Sequence, residues 1–236
     1  MPRSAKKTGF RRFLRRVLSF CLKIILFLFL LTIVQVALIK YINPPFTAYI
    51  AWKWVQEKVT SESFVVPDMQ WRDLKDISPF LIRAVLASED QRFMTHNGFD
   101  FIEMNQAVQD LISAKRLRGA STITMQAART IFLWPGRSWV RKIIEAYYTV
   151  LIELFWSKNR ILEIYLNYVD WGTSIMGAEA ASQKYFHETS AAISASQASL
   201  LAAILPSPHA WSPLNPNRTV IERQKRILRD MKKMHL

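Results

Sequence analysis

Cysteine is almost absent from these 236 residues: only Cys21 occurs, inside an apolar segment. That excludes an internal disulfide and any CxxC metal or redox motif. The four histidines, His96, His187, His209 and His235, are scattered without metal-ligand spacing, which argues against a structural zinc site. Internal repeats, low-complexity tracts and strand-like alternation are missing too, so the chain reads as mainly α-helical. Acidic residues are missing from residues 1–40, where nine of the 32 Lys and Arg lie. The rest carries 23 basic against 18 acidic residues, so the overall +14 belongs mostly to the N-terminus. This distribution favours local anion sites over a nucleic-acid-binding face.

The basic cluster precedes Phe20–Ile39, twenty mostly apolar residues, with Lys23 near one end. That length spans a bilayer as a helix, and Lys23 can snorkel to the interface. No polar face interrupts the run, which argues against a buried soluble helix. A cleaved signal peptide is the competing reading, but the run exceeds a usual h-region and no A-x-A site follows Ile39. Clustered Arg and Lys keep the N-terminal side in the cytoplasm and place the bulk of the chain outside it. The expected divisions are a basic cytoplasmic tail (1–18), a transmembrane helix (19–40), a juxtamembrane linker (41–63) and one main domain (64–236). Within the linker, Tyr49, Trp52 and Trp54 suit either a membrane interface or packing on the domain.

Beyond the linker, Ser78-Pro79 starts a helix with an N-cap and a proline at its first position. Further helices are expected over Phe101–Ala114, from the loop Gly119–Thr122 into Arg129, and over Trp139–Trp156, Ser157–Val169, Ala191–Leu205 and Arg218–Lys233. Gly172 and Gly177 flank a loop before the helix of GAEAASQKYF.

Two groups of residues could carry chemistry. The first is EDQRFMTHNG, Glu89 to Gly98. Glu89 closes an apolar helix, where partial desolvation suits a carboxyl to proton transfer; the plainer reading is a solvated surface acid. His96 is a ligand or base, or it fixes a turn. Asp90, Arg92 and Phe93 read as pairing and packing residues that shape the loop. The second group is Arg129, Arg137, Arg141 and Lys142 around the Pro135-Gly136 turn. Guanidinium groups at a helix N-terminus suit a bidentate grip on phosphate, although a solvated basic face has the same spacing. Glu145 lies one turn beyond Arg141, the spacing of an intrahelical ion pair. Two acids flanking a phosphate-binding cluster, on an anchored and exported domain, suggest transfer from a phosphorylated membrane lipid.

Five segments in order resemble the peptidoglycan glycosyltransferases, glycosyltransferase family 51, and within them the monofunctional biosynthetic transglycosylases. EDQRFMTHNG matches ED-x-x-F-x-x-H-x-G, GASTITMQAAR (119–129) matches G-x-S-T-I-T-x-Q, and RKIIE (141–145) matches R-K-x-x-E. KNRILEIYLN (158–167) matches K-x-x-I-L-E-x-Y-L-N, and GAEAASQKYF with LLAAILPSP matches the last block. The resemblance implies a lysozyme-like helical fold and polymerisation of lipid II into β-1,4-linked glycan strands, with inversion and release of undecaprenyl pyrophosphate. It makes Glu89 the base, and makes Arg129 and Arg137 phosphate contacts with Arg141 and Lys142 beside them. Ser121, Thr122 and Gln126 would line the cleft. Glu145 would be the second essential acid, organising the donor site through a divalent metal (Mg2+ or Mn2+) or through these cations. No organic cofactor is implied. Lipid II, the growing strand, the bilayer and other wall-synthesis and division proteins are the implied partners, at a bacterial inner membrane with the catalytic domain periplasmic. The short remainder after the last block implies a monofunctional enzyme. Thr130, Met125, Asn159, Gln197 and His187 depart from the family pattern, which usually has Asn, Gln, an acid, Glu and Gly there. The alternatives are a lysozyme-like muramidase or lytic transglycosylase with Glu89 as general acid, and a non-catalytic wall scaffold.

Overall fold

The computed structural model describes residues 4–60, 66–67, 69–113, 119–136 and 138–234. The chain forms two compact units, Met1–Asn43 and Pro44–Leu236. The first is one helix, α1 (Ser4–Ile39), so part of the basic segment expected as a tail is helical. Its stretch Arg12–Ile39 is long and apolar enough to cross a membrane by length and composition. Phe20, Leu22, Ile25 and Phe27 are all exposed, as on a surface made for lipid.

The second unit begins with α2 (Ala48–Thr60), inside the stretch expected as a linker. Thr47 caps it, accepting from the Ile50 N–H at 3.2 Å, and Ile50 is fully buried. The Tyr168 hydroxyl donates to the Pro44 carbonyl. This segment is therefore part of the folded unit, held by a cap and a buried residue. The following helices are α3 (Pro79–Glu89), α4 (Phe101–Ile112), α5 (Ile123–Phe132), α6 (Trp139–Phe155) and α7 (Lys158–Tyr168). A two-stranded antiparallel hairpin, β1 (Asp170–Gly172) with β2 (Ile175–Met176), stands where a loop was expected. Helices α8 (Ala178–Phe186), α9 (Ala195–Ile204) and α10 (Arg218–Asp230) complete the unit.

Two helical layers result. In one, α3 packs on α9 and α9 on α10. Leu81, Ile82, Val85 and Leu86 of α3 are buried, and α9 (ASQASLLAAI) is rich in small residues that permit close approach. Ser78 caps α3 and also donates from its hydroxyl to the Ile193 carbonyl at 3.1 Å. In the other layer, α5 lies between α6 and α7, with α2 against it. The helix α9 starts later than its apolar pattern suggests, because Ser194 and Gln197 close a capping box there. Gln197 thus fills the role an acid would take at that position. Gly177 (φ 88°) joins the hairpin to α8, and a Cβ there would lie 2.5 Å from the Asn167 carbonyl oxygen. His187 ends α8 in the left-handed region at φ 58°, where a glycine carries no Cβ penalty.

The last layer of anchoring runs through the segment before α3. Asn167 clamps the Arg72 backbone, accepting from its N–H and donating to its carbonyl, both at 2.8 Å. Glu163 accepts from the Leu74 N–H at 2.9 Å. Glu179 is buried and accepts from the Arg72 guanidinium at 2.9 Å, the Ser190 N–H at 2.8 Å and the Ser190 hydroxyl at 2.6 Å. Burial alone would raise its carboxyl, but Arg72 and Ser190 outweigh it and hold the group at about 2.

Candidate active site

The loop after α3 is fixed chiefly by Asp90, Arg92 and His96. Asp90 is buried and meets His96 Nε2 at 2.9 Å. Its Oδ2 also accepts from the Ile123 N–H at 3.0 Å, tying the loop to the first turn of α5. His96 Nδ1 accepts from the Gly98 N–H at 3.2 Å, an arrangement that leaves Nε2 as the donor to Asp90. Phe93 is buried, its ring edge-on to His96 and 4.5 Å from Lys158 Nζ. Arg92 grips Asp100 through two hydrogen bonds of 2.8 and 2.5 Å, and Asp100 caps α4. Burial pushes the Asp100 carboxyl up, but Arg92 and the Glu103 N–H hold it below its usual range. Gly98 has φ 88°, and a Cβ there would meet Thr149 Cγ2 at 2.8 Å. The Thr122 hydroxyl donates to the Gly98 carbonyl at 2.6 Å while capping α5.

Among the described residues, Asp90, His96 and Asp100 form the one group with metal-ligating atoms mutually within 4.8 Å. Its members are already engaged with one another, with Arg92 and with backbone N–H groups. The network rigidifies the loop, and Arg92 supplies the positive charge that a cation would otherwise bring.

Glu89 stands apart. It is half-buried at the last position of α3 and makes no ion pair among the described residues. Its Oε2 accepts from Gln126 Nε2 at 3.0 Å, and its Oε1 from the Ser88 hydroxyl at 3.2 Å. Gln126 in turn faces the Tyr165 hydroxyl through Oε1 at 3.4 Å. Burial, then the charge of Glu89, pushes the Tyr165 phenol well above its ordinary value, so Tyr165 stays a neutral donor.

Gln126 opens onto a cleft of about 470 Å3 whose walls include Arg129, Thr130, Arg141, Tyr165 and His209. Arg129 lies one turn along α5 from Gln126, about 5 Å of helix rise, exposed and without an ion-pair partner among the described residues. Arg141 enters from the first turn of α6, which Ser138 caps. Glu145 is 1% exposed; its Oε2 accepts from Arg141 at 2.9 Å and its Oε1 from Lys142 Nζ. The intrahelical ion pair is therefore present, and it coexists with a cleft position for Arg141. Arg141 Nε is buried and lacks a hydrogen-bond partner among the described residues. Two cations on one carboxylate, with Arg129 and the α6 N-terminus, leave this end of the cleft positive. Arg137 lies outside the described residues.

Ser121 is half-buried in the loop entering α5. Met125 is core, and the Thr130 hydroxyl bonds back to the Gln126 carbonyl at 3.0 Å on the cleft wall. Asn159 is exposed in the first turn of α7. Reading residues singly missed Tyr165, although it stands in the K-x-x-I-L-E-x-Y-L-N segment. Tyr49, expected at an interface or on the domain, lines the cleft, as does Asp170, whose Oδ2 meets His209 Nε2 at 2.8 Å.

Comparison with known proteins fits this geometry. A family model described as Transglycosylase matches residues 57–232. A biosynthetic peptidoglycan transglycosylase of Caulobacter vibrioides is 44% identical over 218 residues, covering 92% of each chain. One of Shewanella oneidensis is 41% identical over 225 residues, 94% of each, and one of Bacteroides thetaiotaomicron is 42% identical over 220 residues, 92% of this chain and 88% of its own. With a half-buried acid, a cationic cleft and relatives along nearly its full length, the chain belongs to the transglycosylase family and is a glycosyltransferase of the biosynthetic peptidoglycan type.

Proposed function

We propose that the chain polymerises lipid II into β-1,4-linked glycan strands, with Glu89 as general base. Glu89 takes the proton from the 4-hydroxyl of the acceptor N-acetylglucosamine. That oxygen attacks the anomeric carbon of the donor muramic sugar from the face opposite the pyrophosphate, so the α-linked donor becomes a β-linkage by one inversion. The electron pair of the broken bond leaves on undecaprenyl pyrophosphate, whose growing charge faces Arg129 and Arg141 of the cleft wall, with Lys142 beside them. A base of this kind supplies roughly 10²–10⁴-fold, and cations held at the cleft stabilise the charge on the leaving group.

The observation that carries the reading is the pairing of opposites along α5. Glu89 is held by the neutral donors Gln126 and Ser88 and has no cation partner among the described residues, and Gln126 lies one turn along α5 from Arg129, which has no ion-pair partner among them either. Glycan cleavage by a muramidase leaves no pyrophosphate for such cations to neutralise. Glu145 does not fit as the resident ligand of Mg2+ or Mn2+, since Arg141 and Lys142 occupy its two oxygens. Its part is to orient those cations, and the pyrophosphate donor is already activated without an organic cofactor.

The substrate's lipid tail requires a membrane beside the cleft. Phe101, Ile102, Leu111 and Ile112 of α4 and Trp139, Val140, Ile143 and Leu154 of α6 are exposed apolar side chains suited to lipid. Trp52 and Trp54 of α2 are exposed as well. The N-terminal charge supports an N-terminus in the cytoplasm and this domain in the periplasm. Full-length protein given labelled lipid II tests the reading: wild type forms strands without nucleotide, and Glu89→Gln does not. Undiminished polymerisation by Glu89→Gln removes Glu89 as the base.

A further inference from the structure

Behind Glu89 lies a contact between residues far apart in the chain. Arg223 of α10 donates through Nη2 to the Ser88 hydroxyl oxygen at 3.1 Å and through Nε to the Ala203 carbonyl at 3.0 Å. Ser88 Oγ also lies 3.1 Å from the Ala202 carbonyl and 3.2 Å from Glu89 Oε1. A serine hydroxyl has one hydrogen and two lone pairs. Arginine only donates, so Arg223 occupies a lone pair and never competes for the hydrogen. That hydrogen has two acceptors, a carboxylate and a backbone carbonyl. The charged acceptor makes the stronger bond, so the hydroxyl points to Glu89 while Glu89 is ionised. Once Glu89 holds a proton, the advantage is gone and Ala202 accepts.

We propose that Ser88 and Arg223 are positioning residues for Glu89. Arg223 orients the Ser88 hydroxyl, which holds Glu89 as an aimed carboxylate and turns to Ala202 when Glu89 takes the acceptor's proton. The proposal rests on Glu89 being the general base. Each Glu89 oxygen then accepts one fixed donor, from Ser88 and from Gln126, and keeps its remaining lone pair for the incoming hydroxyl. A plainer role for Arg223 is to cap the last carbonyls of α9 with a cation. The two roles separate at Ser88, because Ser88→Ala leaves the Arg223–Ala203 bond intact.

The test uses the full chain with lipid II, reading kcat, KM and the pH dependence of kcat/KM. The charged and titratable groups around Glu89 are Asp90 beside it, Arg129 on α5, Tyr165 on α7 and Arg223 on α10; Ser88→Ala alters none of them. We expect Ser88→Ala to lower kcat about tenfold with KM within about twofold, as for a lost bond to a charged group. The acid limb of the profile moves to higher pH, and Ser88→Thr restores both. Arg223→Gln moves the limb the same way, and adds nothing in the Ser88→Ala background. A wild-type kcat and acid limb in Ser88→Ala overturns the proposal. Glu89→Gln run in parallel separates the failures: if it is inactive while Ser88→Ala is unchanged, only this inference falls; if it polymerises normally, the base assignment falls.

Discussion

Gln126 Nε2 stands 3.0 Å from Glu89 Oε2, joining α5 to the end of α3 across 37 residues of sequence. The same side chain presents its oxygen to Tyr165 at 3.4 Å and lines the cleft. Gln126 therefore links the acid to the wall of the cleft. Gln126→Ala should lower kcat by about tenfold or more, and Gln126→Glu should cost more, because a second carboxylate would face the first. Turnover of labelled lipid II measures both; equal, wild-type rates would contradict the arrangement.

Glu145 and Arg141 make the second prediction. Both are nearly buried, so Glu145→Gln leaves Arg141 without its counter-charge. The expected loss of stability is about 3 kcal/mol. Pairing it with Arg141→Met should recover much of that stability in denaturant melts without recovering polymerisation. Recovery of both would show that the pair serves packing alone.

Glu179 gives a pH signature. Its carboxyl is at about 2 in the folded chain against an ordinary 4.5. A lowered value contributes stability in full above 4.5 and loses it as pH falls toward 2. The contribution is on the order of 3 kcal/mol at neutral pH. Glu179→Gln should therefore be less stable than wild type at neutral pH, with the gap closing in that acid window. A pH-independent gap in thermal or denaturant midpoints would rule this out.

His187 holds a left-handed φ of 58° while exposed at the end of α8. His187→Gly should stabilise the domain by about 0.5–1 kcal/mol by removing the Cβ strain. Polymerisation should not change, since the residue is outside the cleft. Calorimetry checks the first half and lipid II turnover the second.

Much of this architecture could be read from local chemistry. Ser78, Thr122, Ser138 and Ser157 each cap a helix that the apolar spacing also marks. Glu89 and the cations around Pro135-Gly136 stood out by type and place. What escaped depends on distant partners. Ser88 gains meaning only from Arg223, 135 residues away, and Tyr165 only from Gln126. The 41–63 stretch looked like a connector because helix α5, against which α2 packs, is nowhere near it in sequence. His96 kept three readings open until its two ring nitrogens were found occupied by Asp90 and Gly98.

The embrace of Glu145 by Arg141 and Lys142 also bears on selectivity and turnover. An empty cleft does not offer those cations bare: any anion must exchange with an internal carboxylate that is already in place. A singly charged solute gains little by that exchange, whereas the pyrophosphate of the proposed donor brings enough charge to win it. In the proposed reaction Glu145 takes the cations back when the product departs. The resident acid thus works as a counter-ion on a spring, screening out weak anions beforehand and helping to eject the strong one afterwards.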